Sequence, residues 1–421
     1  MKILWVVSFV LPEVADSFGN QNVIFGGWVS AMIRQLSRVP SIELGVAMKA
    51  NVDTCTSKKI GNIQYYFVPQ SKYNQFDVAV EDCEFVLSDF KPDLLHVEGS
   101  ESAHALRFLN SWNGNNVVSM QGIINGYEPY EYGGLPVGEM LASFSWTSTM
   151  VATVLILNKW INFNPRLSLE VETIQKAKNI LGRTHWDQAH AYAINPEARY
   201  FNCNRILRDS FYKSRWDLKD IQRRSLFIGN GASPRKGAHF VFHAVAQLKA
   251  EYPDVKLYLA GDQPFCSSWK DWKTAIGYKA YLRYLIRKLD IADHVEFTGV
   301  LQADQMAKQL LNTHVYIMSS VIENSPNTLG EAMILGVPCV TTYAGGTPDM
   351  AADGEEALFY RPDDPAMLAL QVRRIFEDDD LAERLSQAAR ARARLTHDPE
   401  RNLQDLIDAY LAIMTDGKKA T

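Results

Sequence analysis

Cysteine is scarce and unpatterned. The five in the 421-residue chain, Cys55, Cys83, Cys203, Cys266 and Cys339, are odd in number and never spaced as C-x-x-C. That pattern suits neither a zinc site nor a disulfide framework, and a reducing cytoplasm is the simplest home for it. Basic charge is not in excess either: a formal net charge of −5 argues against a nucleic-acid platform, which would show a basic stripe, and no nucleic-acid partner is expected. No short-period repeat or low-complexity segment occurs. Long hydrophobic runs are missing too. The apolar stretch Ile3 to Leu11 behind Lys2 is short, is closed by Pro12-Glu13 and lacks a small-residue cleavage site, so it reads as a buried first strand, Ile3–Ser8, rather than a signal peptide. Met140–Asn158 holds no charged residue, yet its three Ser and three Thr set it apart from the run of about 20 predominantly apolar residues that a spanning helix needs. It reads as a buried helix forming one wall of an acceptor cleft. A peripheral, membrane-facing surface is its second reading.

What is present is a hydrophobic share of 47%, ample for real cores. At about 100–200 residues per domain the chain should hold two domains. Strand-like segments in the first half are Ile3–Ser8, Glu43–Met48, Ile63–Val68, Leu94–Val97, Val117–Met120 and His190–Ile194. Helix-like segments near Gly27–Ser37, Phe76–Phe90, Ala103–Leu109 and Leu167–Leu181 alternate with them. The second half repeats the rhythm, with strands from Ser225–Ile228 to Ala357–Tyr360 and helices from Ala238–Glu251 to Pro365–Glu377. Such alternation predicts parallel sheets covered on both faces, an α/β chain of two doubly wound, Rossmann-like domains. The polar, charged segment around Tyr212–Arg224 separates the two series. The expected division is therefore 1–212, a linker at 213–224, a second domain at 225–395 and a closing helix within 396–421, where Leu403, Leu406, Ile407, Tyr410, Leu411 and Met414 form a helical stripe.

Ligands of doubly wound sheets bind at the carboxyl ends of the strands, so the loops there carry the information. After Ser225–Ile228 comes Gly229-Asn230-Gly231-Ala232-Ser233-Pro234-Arg235-Lys236-Gly237 and then a helix. Glycines allow close backbone approach, the helix start offers N–H groups and partial positive charge, and Lys236 adds a full one; together they suit a diphosphate. An ordinary βα turn with exposed basic residues is the competing reading. After His314–Met318 comes a loop with Glu323, then Pro326-Asn327 as a helix start and Glu331 in its first turns. A carboxylate only accepts hydrogen bonds, which suits the paired hydroxyls of a ribose or hexose. The N–H groups of Asn327, Thr328 and Leu329 suit phosphate oxygens. Gly345-Gly346 occupies the corresponding loop after the next strand, and in the first half Gly26-Gly27 opens a helix after the first strand and Gln121-Gly122 ends a strand.

Glu323-x7-Glu331-Ala332, then Gly336-Val337-Pro338-Cys339-Val340 and Gly345-Gly346, with Lys236-Gly237 ahead of them, resembles the family 4 retaining glycosyltransferases of the GT-B fold. The likeness is specific mainly over about residues 225–360. It implies two facing Rossmann-like domains, a last helix that crosses back onto the first domain, and transfer of a sugar from a nucleoside diphosphate to a hydroxyl. By the same resemblance Lys236, Glu323 and Gln121 are the catalytic candidates. The donor would be held by Gly26, Gly27, Gly231, Arg235, Lys236, Val300, Leu301, Glu323, Asn327, Thr328, Leu329 and Glu331. Val300 and Leu301 would meet the base and Glu331 the ribose. Two positions depart from the family pattern. Neutral Asn230 and Gly231 stand where many members carry a second phosphate-binding Arg, for which Arg235 is the substitute on offer, and Gln121 stands where many carry His.

No metal and no cofactor is expected beyond the nucleotide-sugar co-substrate. A glycan or lipid-linked acceptor of cell-surface polysaccharide or glycolipid synthesis is the implied partner. Asp378-x-Asp380 sits in an acidic run and reads as a solvated surface. His96 and His104 lie near the first-half cleft, with ligand contact as their lesser reading, and Gly182-Arg183-Thr184 reads as a structural turn with acceptor contact as its lesser reading. A sugar-nucleotide 2-epimerase, a pyridoxal-phosphate-dependent phosphorylase and a non-catalytic nucleotide-sugar binding module remain alternatives of similar layout.

Overall fold

The structure is a computed structural model that describes residues 1–15, 27–71, 77–135, 157, 159–231, 233–261 and 278–417. Gly26, Cys266 and nearly all of the apolar stretch 140–158 lie outside the described residues. The chain forms two compact units, one of Met1–Gly126, Asn162–Arg208 and His397–Thr421, the other of Tyr127–Ile161 and Asp209–Thr396.

The first unit is built on β1 (Lys2–Val7), β2 (Glu43–Ala50), β3 (Thr56–Ile60), β4 (Ile63–Pro69), β5 (Leu94–Glu98), β6 (Asn115–Ser119), β7 (Asn179–Gly182) and β8 (Arg199–Asn202), ordered β3-β4-β2-β1-β5-β6-β7-β8. All neighbours are parallel except β3 and β4. Central strands such as β5 are buried from end to end, as a sheet covered on both faces requires. The closing helix, Pro399–Gly417, places Leu406, Tyr410 and Ile413 in the same core as Trp5, Val29 and Leu36, so the apolar stripe read near the C-terminus covers the first unit's sheet.

Two expectations in this unit are corrected. His190–Ile194 is not a strand but the second half of a helix, His185–Ile194. Thr184 caps that helix, its hydroxyl accepting from the N–H of Asp187 at 3.1 Å, and the capped turn outweighs the apolar alternation downstream. The edge strand is instead β8. The expected helix Leu167–Leu181 ends at Lys176, and its last residues form β7. Asn116 draws them onto β6: its Oδ1 accepts from the N–H of Lys178 at 2.9 Å, and its carbonyl accepts from Asn179 Nδ2 at 2.9 Å.

The second unit carries β9 (Gln222–Ile228), β10 (Lys256–Ala260), β11 (Val295–Gly299), β12 (Thr313–Met318), β13 (Cys339–Thr342) and β14 (Leu358–Tyr360), ordered β11-β10-β9-β12-β13-β14 and wholly parallel. The order reverses direction between β9 and β12, which makes the ends of these two strands the switch point where ligands of such sheets bind. The expected linker 213–224 is part of this unit. Trp216 is buried there, its backbone N–H donating to Leu335 O and its Nε1 to Thr313 O, both at 2.8 Å. Tyr127–Leu135, read in sequence as first-domain chain, also belongs here: Arg235 Nε lies 3.2 Å from Glu131 Oε2 and the guanidinium lies over the Tyr127 ring.

Candidate active site

At the switch point the loops after β9, β12 and β13 meet. Backbone groups stitch the first two together: the N–H of Val321 donates to Arg235 O at 2.8 Å, and the Ser319 hydroxyl to Lys236 O at 2.7 Å. Gly237 has φ +68°, and a Cβ there would stand 2.0 Å from Ser319 O. Only glycine allows both that conformation and that approach. Gly345 repeats the device from the other side, with φ +54° and a notional Cβ 1.9 Å from Glu323 O, while the N–H of Gly346 donates to that same carbonyl at 3.0 Å.

These contacts bring Lys236 and Glu323 together. The ammonium is ion-paired with Glu323 Oε1, which also accepts from the Ser320 hydroxyl at 2.9 Å. The helix Asn327–Leu335 begins beside them, with Pro326 at its cap position. Leu329 is wholly buried and its N–H already donates to Pro326 O at 3.0 Å, so the expected contact from Leu329 is spent inside the helix. Asn327 and Thr328 remain at the first-turn positions whose N–H groups precede the intrahelical ladder. Thr328 packs against Gly229, its Cγ2 3.3 Å from where a Cβ would be. Glu331 lies one turn further on and is almost completely buried. Burial raises the Tyr316 phenol, a hydrogen bond with Thr328 works against it, and the nearby Cys339, Glu331 and Glu323 raise it a little further.

Other sequence-derived candidates fall differently. Arg235 does not join Lys236; its guanidinium is taken by Glu131 and the Tyr127 ring. Gly231 is a packing position, since a Cβ would come within 2.9 Å of Leu259 Cδ1 and 3.2 Å of Ala238 Cβ. Val300 follows β11 and is exposed, with Leu301 half-buried beside it. In the acidic run, Asp378 accepts from the N–H of Leu381 at 2.8 Å and Asp379 pairs with Arg223, so both serve the helix Asp379–Thr396. Among the described residues no group of three or more His, Cys, Asp or Glu side chains is arranged to hold a metal ion. No helix of the described residues is long and apolar enough to cross a membrane.

In the first unit, Gly27 opens the helix Gly27–Leu36, and Gln121 follows β6. Gln121 stands in a polar cluster that motif reading missed. Its Nε2 donates to Glu98 Oε1 at 3.2 Å, Glu98 is ion-paired with Arg205, and an Arg183 Nη2 donates to Gln121 O at 3.1 Å. The one local signal for Glu98 is an acid closing a buried strand at the carboxyl edge of a parallel sheet. Burial works to raise its carboxyl, but Arg205 and then His96 outweigh it and hold it at about 2. His96 is buried, with Nδ1 2.5 Å from the Tyr410 hydroxyl and burial lowering its pKa. His104 is also buried, bonded to Ser102, and lowered by burial to about 3.

The two sheets and their closing helix define the GT-B fold. Sucrose-phosphate synthase from Thermosynechococcus elongatus shares it over 99% of this chain and all of its own, with a TM-score of 0.72 at 15% identity. Anabaena Alr3699/HepE in complex with UDP-glucose shares it over 98% of this chain and 100% of its own, with a TM-score of 0.69 at 16% identity. Residues 211–392, which contain Lys236, Glu323 and Glu331, match the family model described as glycosyl transferases group 1. The N-acetyl-alpha-D-glucosaminyl L-malate synthase of Bacillus anthracis is similar at 25% identity over 207 residues, 49% of this chain and 50% of that protein. The chain spans about half the length of the curated relatives it matches.

Proposed function

We propose that this chain is a glycosyltransferase that moves a sugar from a nucleoside diphosphate to a hydroxyl acceptor, with retention of anomeric configuration and no metal or other cofactor. The observation that carries the reading is the meeting of Lys236 and Glu323 beside the N-terminus of Asn327–Leu335, inside the region that matches the family. Lys236 and the first-turn N–H groups stabilise the diphosphate as negative charge develops on it in the transition state. Glu323 accepts from sugar hydroxyls once the ammonium turns to phosphate, and Glu331 holds the ribose. A departing diphosphate oxygen takes the acceptor's proton, so no separate protein base is required.

The acceptor we propose is lipid-linked and met at a membrane face, where the enzyme would work from the cytoplasm. Leu157, Trp160 and Ile161, at 49%, 67% and 66% exposure, support this by presenting large apolar side chains at the end of the uncharged stretch 140–158 and just beyond it.

A thermal-shift panel of UDP-, GDP-, ADP- and TDP-sugars tests the donor site. A true donor at 100 times its dissociation constant adds about 2.7 kcal/mol, and Lys236→Ala and Glu331→Ala each remove most of that shift. Unchanged shifts in both variants sink the assignment. Product analysis by NMR then separates transferred sugar from an epimerised donor.

A further inference from the structure

Gln121 is held from three directions. Its backbone carbonyl accepts from Arg183, whose guanidinium also reaches Met120 O. The turn that follows is fixed by Glu170, which accepts from the N–H groups of Ile124 at 3.0 Å and Asn125 at 2.8 Å. The side-chain amide meets Glu98. That carboxylate is itself immobilised: Arg205 pairs with Oε1, and His96 Nε2 lies 3.5 Å from Oε2 while its Nδ1 is anchored on Tyr410. Glu98, His96 and Tyr410 are all 1% exposed or less.

The chemistry of this contact decides how Gln121 can act. An amide offers an NH2 on one side and a carbonyl on the other, and a carboxylate can only accept. A buried, ionised Glu98 therefore selects the rotamer in which Nε2 turns to it. Gln121 lies at the carboxyl end of a parallel strand, on the sheet edge where ligands bind. We propose that Glu98 is a positioning residue for Gln121: the carboxylate anchored by Arg205 holds Nε2 inward, so that Gln121 meets an acceptor hydroxyl with its carbonyl oxygen, as a hydrogen-bond acceptor. The inference rests on the glycosyltransferase reading above and adds to it a residue that does not itself touch substrate.

A double-mutant cycle with the donor found in the panel tests it. Wild type, Glu98→Gln, Gln121→Ala and the double variant are compared by kcat and KM for donor and acceptor, with melting temperature and donor-induced shift as folding controls. Glu98→Gln can donate to Gln121 as well as accept, so it no longer selects the amide orientation. One hydrogen bond made reliably only in the wild type corresponds to a loss of about 3–10-fold in kcat/KM. We expect that loss in the wild-type background and none beyond it once Gln121 is alanine. An equal loss in both backgrounds would show that Glu98 only supports the fold, and no loss in either would show that it does not orient the amide; each overturns the proposal. If Glu98→Gln fails to fold, Glu98→Asp, which keeps the charge but withdraws it by one methylene, is run through the same cycle and judged by the same outcomes. An active wild type with a failed cycle removes only the role of Glu98, whereas a wild type that transfers no sugar from any donor removes the functional reading and this proposal together.

Discussion

Each unit contains a glutamate paired with a cation near the carboxyl ends of its central strands, and the two pairs are built for opposite purposes. In the first unit Arg205 and Glu98 are 7% and 1% exposed, and the carboxylate has further neighbours in Gln121 and His96. In the second, Lys236 and Glu323 are 33% and 13% exposed, and the lysine stands at a loop end beside a helix N-terminus. A buried pair whose partners are all protein groups cannot trade them cheaply for a ligand, because each charge has already lost its water. A half-exposed lysine can. The difference separates a frame that holds a residue in place from a site that waits for an anion.

The sharpest way to break the comparison is to remove the same kind of group from each. Arg205→Ala leaves the Glu98 carboxylate buried without its cation and should cost about 3–5 kcal/mol in urea unfolding. Arg205→Met combined with Glu98→Gln, which removes both charges, should cost less than Arg205→Met alone. If Arg205→Ala is nearly neutral, the first pair is no more committed than the second, and the contrast fails.

A smaller effect tests what the two units share. His104 and His397 in the first unit are lowered by burial to about 3 and about 4, and His239 and His314 in the second to about 3 and about 4. An unfolded chain takes up these protons near pH 6.5 while the folded protein refuses them. Stability is therefore complete above pH 6.5 and falls as pH drops from there toward 4, by about 1.4 kcal/mol per pH unit for each histidine that stays neutral. Glu98 adds its own loss only at lower pH, because its folded pKa of about 2 lies below the ordinary carboxylate value. Urea titrations at pH 7.5, 6.0 and 5.0 check the slope, and a flat profile would mean that these rings are hydrated. With such histidines in both units, acid should weaken both, unlike the change at Arg205.

The same two regions differ in how far they could be read from residues alone. The second unit's site is local. Glu323-x7-Glu331 lies along one strand-loop-helix passage, and Gly237 and Gly345 stand where a loop must press against its neighbour, so spacing and residue type carried the geometry. The first unit's cluster is not local: Arg205 is 107 residues from Glu98, and Tyr410 is 314 from His96. No short motif links such partners; the strand order and the packing of the closing helix on the sheet bring them together. The first sheet's edge strands escaped for a simpler reason: β3 is short and mostly polar, and β8 is only four residues long, too short to show an apolar period. The adjacent Arg235 and Lys236 also mislead as a basic pair, because a turn sends one to Glu131 and the other to Glu323.

The least change is expected where the site itself is cut. Without donor, Lys236→Ala should alter the unfolding free energy by less than about 1 kcal/mol, the range of ion pairs that keep contact with water. Glu323 retains the Ser320 hydroxyl after the substitution, and its backbone carbonyl stays bonded to Gly346, so neither the loop nor the carboxylate loses its support. Nothing in the loop contacts of Lys236 needs its ammonium: its carbonyl accepts from Ser319, and the close approach beside it belongs to Gly237. Urea unfolding of the variant without and with donor gives both halves of the comparison. A small intrinsic change together with a lost donor response is what a ligand-binding lysine produces. A loss of several kcal/mol in the absence of donor would instead place Lys236 alongside Arg205, as part of the frame, and would leave the diphosphate without its cation.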